Sequence, residues 1–331
     1  MSLGCAGCGR APLELRGPTM GTTYSVVVAD PPAGLDRDGL QALVQGVLEA
    51  VDSTCSTYDP GSELSRFNDY ESTAPVAASP MLRELVGIAG ELSARTGGAF
   101  DVTVGPLVGL WGFGSAGTST GDRAPDAAAL SWARSRVGYR NLVADDAHGT
   151  LRKELPDLVV DVDGIAPGYA VDLVAQRLEA RGARRYLVEL GGELRARGLS
   201  PEDRPWRVAI ESPRAGERRP YALVELNGLG ISTSGDYRDA HVVDGRRVSH
   251  TIDPRTGAPV SHRLASVTVV DPSAARADGL ATALMVLGPT EGYELADRLG
   301  LAALFIEHSA DGRSFHERAT PQFDRLRRPI D

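Results

Sequence analysis

The stretch LVVDVDGIAPGYAVD at residues 158–172 carries the strongest prediction about the fold. Its first three residues form an apolar run typical of a buried strand, and the Gly and Pro residues that follow favour a turn. Residues 169–180 then have the apolar spacing of a helix, so a strand, a turn and a helix are expected in succession. The helix start near Gly168 would offer N–H groups and a positive dipole end to a phosphate.

Asp161 and Asp163 follow the predicted strand of this unit. The turn at residues 164–166 would expose carbonyl oxygens beside them, and Mg²⁺ accepts oxygen ligands of this kind. Acidic turns also occur at strand ends that have no function, so the segment alone leaves both interpretations open.

Hydrophobic periodicity predicts further elements on both sides of this unit. Apolar residues at three- and four-residue spacing predict helices over residues 40–51, 81–94, 277–287 and 291–299. β-Branched and aromatic runs predict strands over residues 22–28, 186–190, 206–210, 221–226, 230–232, 266–270 and 303–306. Strands this frequent and this weakly interleaved with helices favour an α+β architecture over a doubly wound parallel sheet. Residues 112–129 predict an exposed loop leading into another helix.

Composition narrows the class of function. The 331 residues include 42% hydrophobic side chains, and 35 Lys and Arg against 44 Asp and Glu give a formal net charge of −9. This hydrophobic fraction is ample for packed cores, and the negative net charge argues against nucleic acid as a partner. No apolar run approaches the roughly 18 residues needed to span a bilayer, and no basic region followed by an apolar core begins the sequence.

The three cysteines, Cys5, Cys8 and Cys55, are too few for a disulfide framework or a four-ligand zinc site. Cys5 and Cys8 have redox-motif spacing, but no βαβ pattern follows them. Ala-Gly-Cys at residues 6–8 is also similar to the end of a bacterial lipoprotein cleavage site. On that interpretation residues 9–18 are a tether and a lipidated Cys8 attaches the chain to a membrane.

Two side chains near glycine-rich turns could contact a flat ligand ring. Met20 precedes the strand predicted over residues 22–28, and Tyr58 lies beside an Asp-Pro-Gly turn at residues 59–61. The alternatives are a core methionine and a buried aromatic residue.

Asp101 and Thr103 alternate with valines, and a short strand here would point both polar groups to one face. Asp101 could then accept a hydrogen bond from a ligand ring N–H, or it could cap a neighbouring turn.

Asp278 and Thr282 are four residues apart on a predicted helix and therefore share one of its faces. A carboxylate and a hydroxyl side by side can hold Mg²⁺. His250 lies among polar residues in a predicted loop, where it could transfer protons, although a lone histidine is more often structural.

Seven segments taken in order closely resemble the ApbE family, the FAD:protein FMN transferases formerly labelled thiamine biosynthesis lipoproteins. The resemblance covers residues 17–306, nearly the whole chain. The segments are MGTTYS (20–25), GAFDVTVGPL (98–107), WGFG (111–114), GYAVD (168–172), SGDY (234–237), SHTIDPRTG (249–257) and ADGLATA (277–283).

The resemblance implies an ApbE-like α+β fold with mixed or antiparallel sheets, flanking helices and FAD in a central cleft. An acceptor Ser or Thr hydroxyl would attack the FMN phosphorus, with Mg²⁺ at the pyrophosphate and AMP leaving. His250 would take the proton, and the metal would be held by Asp278, Thr282 and a main-chain carbonyl at Gly164 or Ala166. The implied FAD contacts are Met20, Tyr58, Ala99, Phe100, Asp101, Asp161, Pro167 and Ile252.

Two prolines depart from the pattern of the family. Pro167 stands where many relatives have lysine, which removes a cation and an N–H donor beside the expected phosphate site and predicts stronger reliance on Mg²⁺. Residues 253–259 imitate the acceptor signature of the family, Asp-x-x-Ser/Thr-Gly-Ala-Ser/Thr. Pro259 has no hydroxyl, so self-modification there is excluded.

The expected organisation is an N-terminal arm or tether (1–16), a catalytic domain (17–317) and a C-terminal tail that forms a surface arm (318–331). The family resemblance implies an acceptor with the signature above, an electron-transfer protein, at the outer side of a bacterial membrane. A cytoplasmic location applies if the chain as written is the full natural product. Two alternatives remain open, an FAD pyrophosphatase that yields FMN and AMP and a non-catalytic flavin-binding protein.

Overall fold

The computed structural model describes residues 10–114, 123–214, 216, 219–235, 240–243 and 246–330. Cys5 and Cys8, and with them the lipidation prediction, lie outside these residues, as does part of the loop predicted over 112–129. The helices are α1 (Arg37–Cys55), α2 (Glu63–Asp69), α3 (Pro80–Arg95), α4 (Gly105–Leu110), α5 (Ala127–Arg134), α6 (Ala166–Ala180), α7 (Ala274–Arg298) and α8 (Pro321–Leu326).

The strands are β1 (Leu13–Thr19), β2 (Thr22–Val28), β3 (Val76–Ala77), β4 (Leu142–Asp145), β5 (Thr150–Lys153), β6 (Tyr186–Leu190), β7 (Glu193–Arg197), β8 (Trp206–Glu211), β9 (Pro220–Leu226), β10 (Leu229–Gly235), β11 (Ala240–Val243), β12 (Arg246–Ser249), β13 (Leu264–Asp271), β14 (Ala302–His308), β15 (Phe315–Ala319) and β16 (Arg327–Arg328). Eight of them form the main sheet in the order β1-β2-β6-β7-β10-β13-β14-β15. Smaller sheets have the orders β16-β9-β8, β3-β5-β4 and β11-β12. Every neighbouring pair among the described strands is antiparallel, which confirms the α+β prediction.

The main sheet is covered on both faces. Along β2, Val26 and Val28 point into a core shared with α1, α3, α6 and α7, whereas Val27 packs against a second core on the opposite face. The small sheet of β8 and β9 closes this second core with Trp206 and Val224. This division follows from the two-residue alternation of side chains along a strand.

Several predicted helices are confirmed with longer boundaries. The helices predicted over 40–51 and 81–94 are α1 and α3. Those predicted over 277–287 and 291–299 are the two arms of α7, which is interrupted at Gly288 (φ 77°) before Pro289. No helix in the described ranges has both the length and the apolar character needed to cross a bilayer.

The prediction of a C-terminal surface arm is wrong. Phe323 of α8 is fully buried in the second core, and β16 pairs with β9. The many basic residues of this segment led the sequence analysis to predict an exposed arm and to overlook Phe323. At the other end, β1 begins at Leu13, within the predicted arm, and pairs with β2.

Helices α6 and α7 cap each other's first turns. The carboxylate of Asp172 in α6 accepts hydrogen bonds from the N–H groups of Ala274 and Ala275 in α7, both at 3.0 Å. Asp278 of α7 accepts a hydrogen bond from the N–H of Gly168 in α6 at 3.2 Å. The first N–H groups of a helix have no partner within it and form the positive end of its dipole, so both carboxylates are favourably placed.

Gly168→Ala should lower the free energy of unfolding by roughly 1–3 kcal/mol, because the added Cβ forces apart two packed helices. A Cβ at Gly168 would lie 2.5 Å from the carbonyl oxygen of Ala274. Gly87→Ala in α3 is the matched control, since a Cβ there meets nothing within 4 Å. It should be neutral or stabilise the protein by up to about 1 kcal/mol. Urea unfolding measures both, and equal effects would contradict the close crossing.

Candidate active site

A cavity of about 1060 Å³ brings together most of the residues singled out from the sequence. Its walls come from β2, the β6–β7 turn, β8, β10, α7 and the segments around residues 58, 99–104, 112–114, 161–164 and 250–254. The predicted site residues that line it are Tyr58, Ala99, Phe100, Asp101, Asp161, Gly164, His250, Ile252, Asp278 and Thr282.

Strand β10 and helix α7 meet through matched pairs of polar side chains. Ser232 donates a hydrogen bond to Asp278 at 3.3 Å, and the hydroxyls of Ser234 and Thr282 are 3.2 Å apart. Two residues along a strand span about 6.8 Å and four along a helix about 6.0 Å, so both pairs can form at once. The sequence analysis assigned no role to Ser232 or Ser234, because the strand it predicted over 230–232 ended before Ser234, whereas β10 continues to Gly235.

The carboxylate of Asp278 is buried beside a second carboxylate and a serine hydroxyl. Burial, and secondarily the carboxylate of Glu193, raise its pKa well above the usual value. The hydroxyl of Ser232 lies within hydrogen-bond distance of both acids, at 3.2 Å from Glu193 and 3.3 Å from Asp278. A serine has a single hydroxyl proton, so it can donate to only one of them at a time. Glu193 is a site residue that the sequence analysis missed.

Thr282 and Gly164 complete an oxygen-rich corner beside Asp278. A Cβ built at Gly164 would lie 3.5 Å from the Thr282 hydroxyl oxygen, so the turn backbone and this side chain are close neighbours. Both residues line the cavity. A carboxylate, a hydroxyl and main-chain carbonyls form an all-oxygen donor set, the type that Mg²⁺ prefers. The described residues contain no cluster of three or more His, Cys, Asp or Glu side chains with metal-binding geometry.

The prediction that the start of α6 offers N–H groups to a phosphate is wrong. The N–H of Ala166 donates to the carbonyl of Val162, and that of Gly168 donates to Asp278. Pro167, between them, has no N–H. The helix start is therefore committed to contacts within the protein.

Asp101 lies in a turn rather than in the predicted strand. Its Oδ1 accepts hydrogen bonds from the N–H and the hydroxyl of Thr103, at 2.8 and 2.6 Å. Its Oδ2 accepts from the N–H of Tyr139 at 2.8 Å. Burial nevertheless raises the pKa of Asp101, against the opposing effect of these hydrogen bonds. The turn-capping alternative therefore describes its contacts within the protein, and Asp101 still lines the cavity.

Residues 158–160 are largely buried but belong to no strand, so the strand prediction is wrong here. The side chain of Asn68 takes the place of a neighbouring strand. Its amide N–H donates a hydrogen bond to the carbonyl of Val160, and its amide oxygen accepts one from the N–H of Val160, both at 2.8 Å. The buried ammonium of Lys153 donates to the carbonyl oxygens of Asn68 and Leu158 at 2.9 and 3.2 Å. Sequence reasoning missed both side chains, because a hydrogen bond to distant backbone has no local signature.

Residues 158–160 lead directly to Asp161 and Asp163, which line the cavity. Burial raises the pKa of Asp161. Displacement of water by surrounding groups, together with the nearby Asp161 carboxylate, raises the pKa of Asp163 to about 7. Asp163 keeps contact with solvent, which tempers this shift.

His250 and Ile252 reach the cavity from a tightly held loop. The ring of His250 lies edge-on to Phe113 with 6.4 Å between centroids. Ile252 forms an isolated antiparallel β-bridge with Pro259, and the indole N–H of Trp111 donates a hydrogen bond to the carbonyl of Gly257 at 2.8 Å. The segment that imitates an acceptor signature is thus a compact turn that anchors this wall.

The remaining residues that were predicted to contact FAD or the metal ion lie at the edge of the cavity or outside its lining. Tyr58 is 68% exposed at the cavity edge, so the buried-aromatic alternative is wrong. Met20 lies in the β1–β2 turn with its side chain against the main core, while its neighbours Thr22 and Thr23 line the cavity. Ala166 and Pro167, in the first turn of α6, are also outside the cavity lining.

The lining is rich in carboxyl groups. Among the described residues it includes seven carboxylates and His250, but no lysine or arginine. The acids are Asp101, Asp161, Asp163, Glu189, Glu193, Glu211 and Asp278. The described lining residues therefore include carboxyl groups that repel an anionic ligand and no basic Lys or Arg side chain that attracts one.

Sequence and structure comparisons agree on one family. A profile of the ApbE family matches residues 20–305. Proteins named FAD:protein FMN transferase are 43% identical in Klebsiella pneumoniae (93% of this chain, 87% of that protein) and 43% identical in Vibrio cholerae (96% and 94%). The crystal structure of the Pseudomonas stutzeri flavinyl transferase ApbE, apo form, is 45% identical, covers 95% of this chain and 96% of that chain, and superposes with a TM-score of 0.86. This chain belongs to the ApbE family and is a flavin transferase.

Proposed function

We propose that this enzyme transfers the FMN moiety of FAD to a Ser or Thr hydroxyl of an acceptor protein and releases AMP, with Mg²⁺ required. The observation that carries the proposal is a cavity lined by carboxylates, with no lysine or arginine among its described lining residues. A bound cation would offset the repulsion between these carboxylates and a pyrophosphate. The substrate named for the relatives, FAD, contains a pyrophosphate.

The donor set around Asp278 fits a magnesium ion. Asp278 is a buried carboxylate beside the Glu193 carboxylate, and Mg²⁺ would stabilise the negative charge that two such neighbouring groups concentrate there. Asp278 and Thr282 would hold the ion together with the Gly164 carbonyl, which belongs to the cavity lining, unlike Ala166. When bound, Mg²⁺ would neutralise the phosphates and stabilise the charge that develops at phosphorus.

The aromatic side chains at the cavity edge suit a flavin or adenine ring. Phe100 lines the cavity, and the exposed ring of Tyr58 can stack on a flat ligand. Asp101 retains acceptor capacity at Oδ2 for a ring N–H, since a carboxylate oxygen can accept two hydrogen bonds.

His250 supplies the base for the transfer. The acceptor hydroxyl oxygen forms a bond to the FMN phosphorus while the bond between that phosphorus and the bridging oxygen breaks, and AMP carries that oxygen away. The hydroxyl proton passes to the His250 imidazole. We propose that the acceptor carries the Asp-x-x-Ser/Thr-Gly-Ala-Ser/Thr signature and is an electron-transfer protein.

Incubation of the protein with FAD, Mg²⁺ and a domain with this signature should add one FMN to the domain and release AMP. Intact-mass spectrometry and nucleotide chromatography measure the two products. AMP without modified acceptor would instead identify an FAD pyrophosphatase, and neither product would identify a flavin-binding protein without turnover.

His250→Ala should retain FAD affinity and lose roughly 10²–10⁴-fold in transfer rate, the contribution typical of a general base. The matched control is His148→Ala, which removes an exposed histidine paired with Asp145 at 2.8 Å and should leave the rate unchanged. Transfer by His250→Ala at the wild-type rate would remove this residue from the mechanism.

Removal of Mg²⁺ should weaken FAD binding by at least about tenfold, or about 1.4 kcal/mol, because the phosphates would face uncompensated carboxylates. Riboflavin has no phosphate, so its affinity should not change. Flavin fluorescence measures both without turnover. Asp278→Asn should reproduce the loss in the presence of Mg²⁺, whereas Asp146→Asn, at an exposed ion pair with Arg83, should not. FAD affinity independent of Mg²⁺ would contradict the proposed role of the ion.

A further inference from the structure

Strand β8 presents its edge to the cavity. It is the terminal strand of the sheet β16-β9-β8. Four consecutive residues, 208–211, line the cavity. A strand that turned one face to the cavity would contribute every second residue, because side chains alternate between faces. Consecutive lining residues therefore indicate that the backbone edge borders the open space.

The pairing of β8 with β9 identifies which main-chain groups point outward. Glu211 pairs with Pro220, which has no N–H, so the hydrogen bonds at this point belong to the flanking residues. The N–H of Ser212 indeed donates to the carbonyl of Arg219 at 2.9 Å. The register shifts between Ile210 and Glu211 because β9 has one extra residue there, Tyr221, so β8 itself keeps the alternation of its main-chain groups. This alternation assigns the main-chain groups of Ser212, Ile210 and Val208 to the side of β9 and its extension. The N–H and C=O of Ala209 point away from it.

Ala209 is accessible at this edge. It is exposed and lines the cavity, while the neighbouring side chains of Val208 and Ile210 are buried in the second core. Within the part of the chain that the structure describes, no residue outside β9 bonds to the main-chain groups of Ala209. An edge with accessible main-chain groups is a template for another strand.

We propose that the acceptor protein docks as an extended segment that adds to the edge of β8 through main-chain hydrogen bonds with Ala209. This inference rests on the proposed function. The edge borders the same cavity as Asp278, Thr282 and His250, so a segment docked there enters the space where transfer occurs.

Geometry favours the acceptor over FAD as the occupant of this wall. A strand edge offers main-chain N–H and C=O groups at the spacing of an extended peptide, and FAD has no such backbone. An added strand projects alternate side chains to opposite faces. One hydroxyl can therefore point into the cavity, while the affinity comes from backbone contacts that tolerate different sequences.

The test compares Ala209→Pro with Ala209→Val. Proline removes the outward N–H and is tolerated on an edge strand whose N–H faces solvent. Valine adds comparable bulk and keeps the N–H. Ala209→Pro should raise the KM for the acceptor domain by about three- to tenfold, the change typical of losing one main-chain hydrogen bond. FAD affinity and the kcat at saturating acceptor should stay at wild-type values, and Ala209→Val should behave like the wild type.

A second measurement does not depend on variants. Hydrogen exchange in the FAD-loaded protein should slow at the Ala209 amide when an acceptor domain with its target Ser or Thr replaced by Ala is added. Wild-type-like KM for Ala209→Pro, equal effects of proline and valine, or unchanged exchange at Ala209 would overturn strand addition. If the wild type transfers FMN in these assays, such a result removes only the docking mode. Absence of wild-type transfer would remove the proposed function and this inference together.

Discussion

The reciprocal capping of α6 and α7 is the interaction on which the site depends. Asp172 fixes the start of α7 and is itself held by Arg195 and by the hydroxyl of Ser273, both at 2.6 Å. One turn further along α7, the carboxylate of Asp278 accepts a hydrogen bond from the N–H of Gly168. Separation of the helices would remove the backbone N–H donors from two buried carboxylates, leaving Asp172 to Arg195 and Asp278 to Ser232, and would weaken the balance of both charges. The helix crossing therefore determines where Asp278 meets the cavity.

The same crossing removes the start of α6 as a source of positive potential for the cavity. A helix start would ordinarily be an anion site, but the Gly168 N–H is used by Asp278 and Pro167 has none to offer. Among the described residues this helix start therefore offers a phosphate no free N–H group, and the Glu193 carboxylate lies beside Asp278. Both features support the proposed role of Mg²⁺.

Local patterns predicted the regular elements well and the irregular segments poorly. Helices α1 and α3 follow from apolar spacing, since one face of each helix must be buried. Asp101 and residues 158–160 were both assigned to strands because they alternate or are apolar. In the structure Asp101 forms a turn with Thr103, and residues 158–160 bond to the side chain of Asn68. Strand patterns report burial and extension, whereas the partner that satisfies the backbone is chosen by residues far away in sequence.

The sequence by itself determined the fold class, the family and a minority of the residues around the cavity, because these depend on periodicity and on short motifs that carry their own chemistry. Only the tertiary structure decided how the charges are balanced. It committed the α6 N-terminus to Asp278, brought Glu193 beside the same carboxylate and turned the edge of β8 toward the cavity. Burial, hydrogen-bond competition and electrostatic repulsion act between residues that are close in space but distant along the chain, and no local pattern encodes those distances.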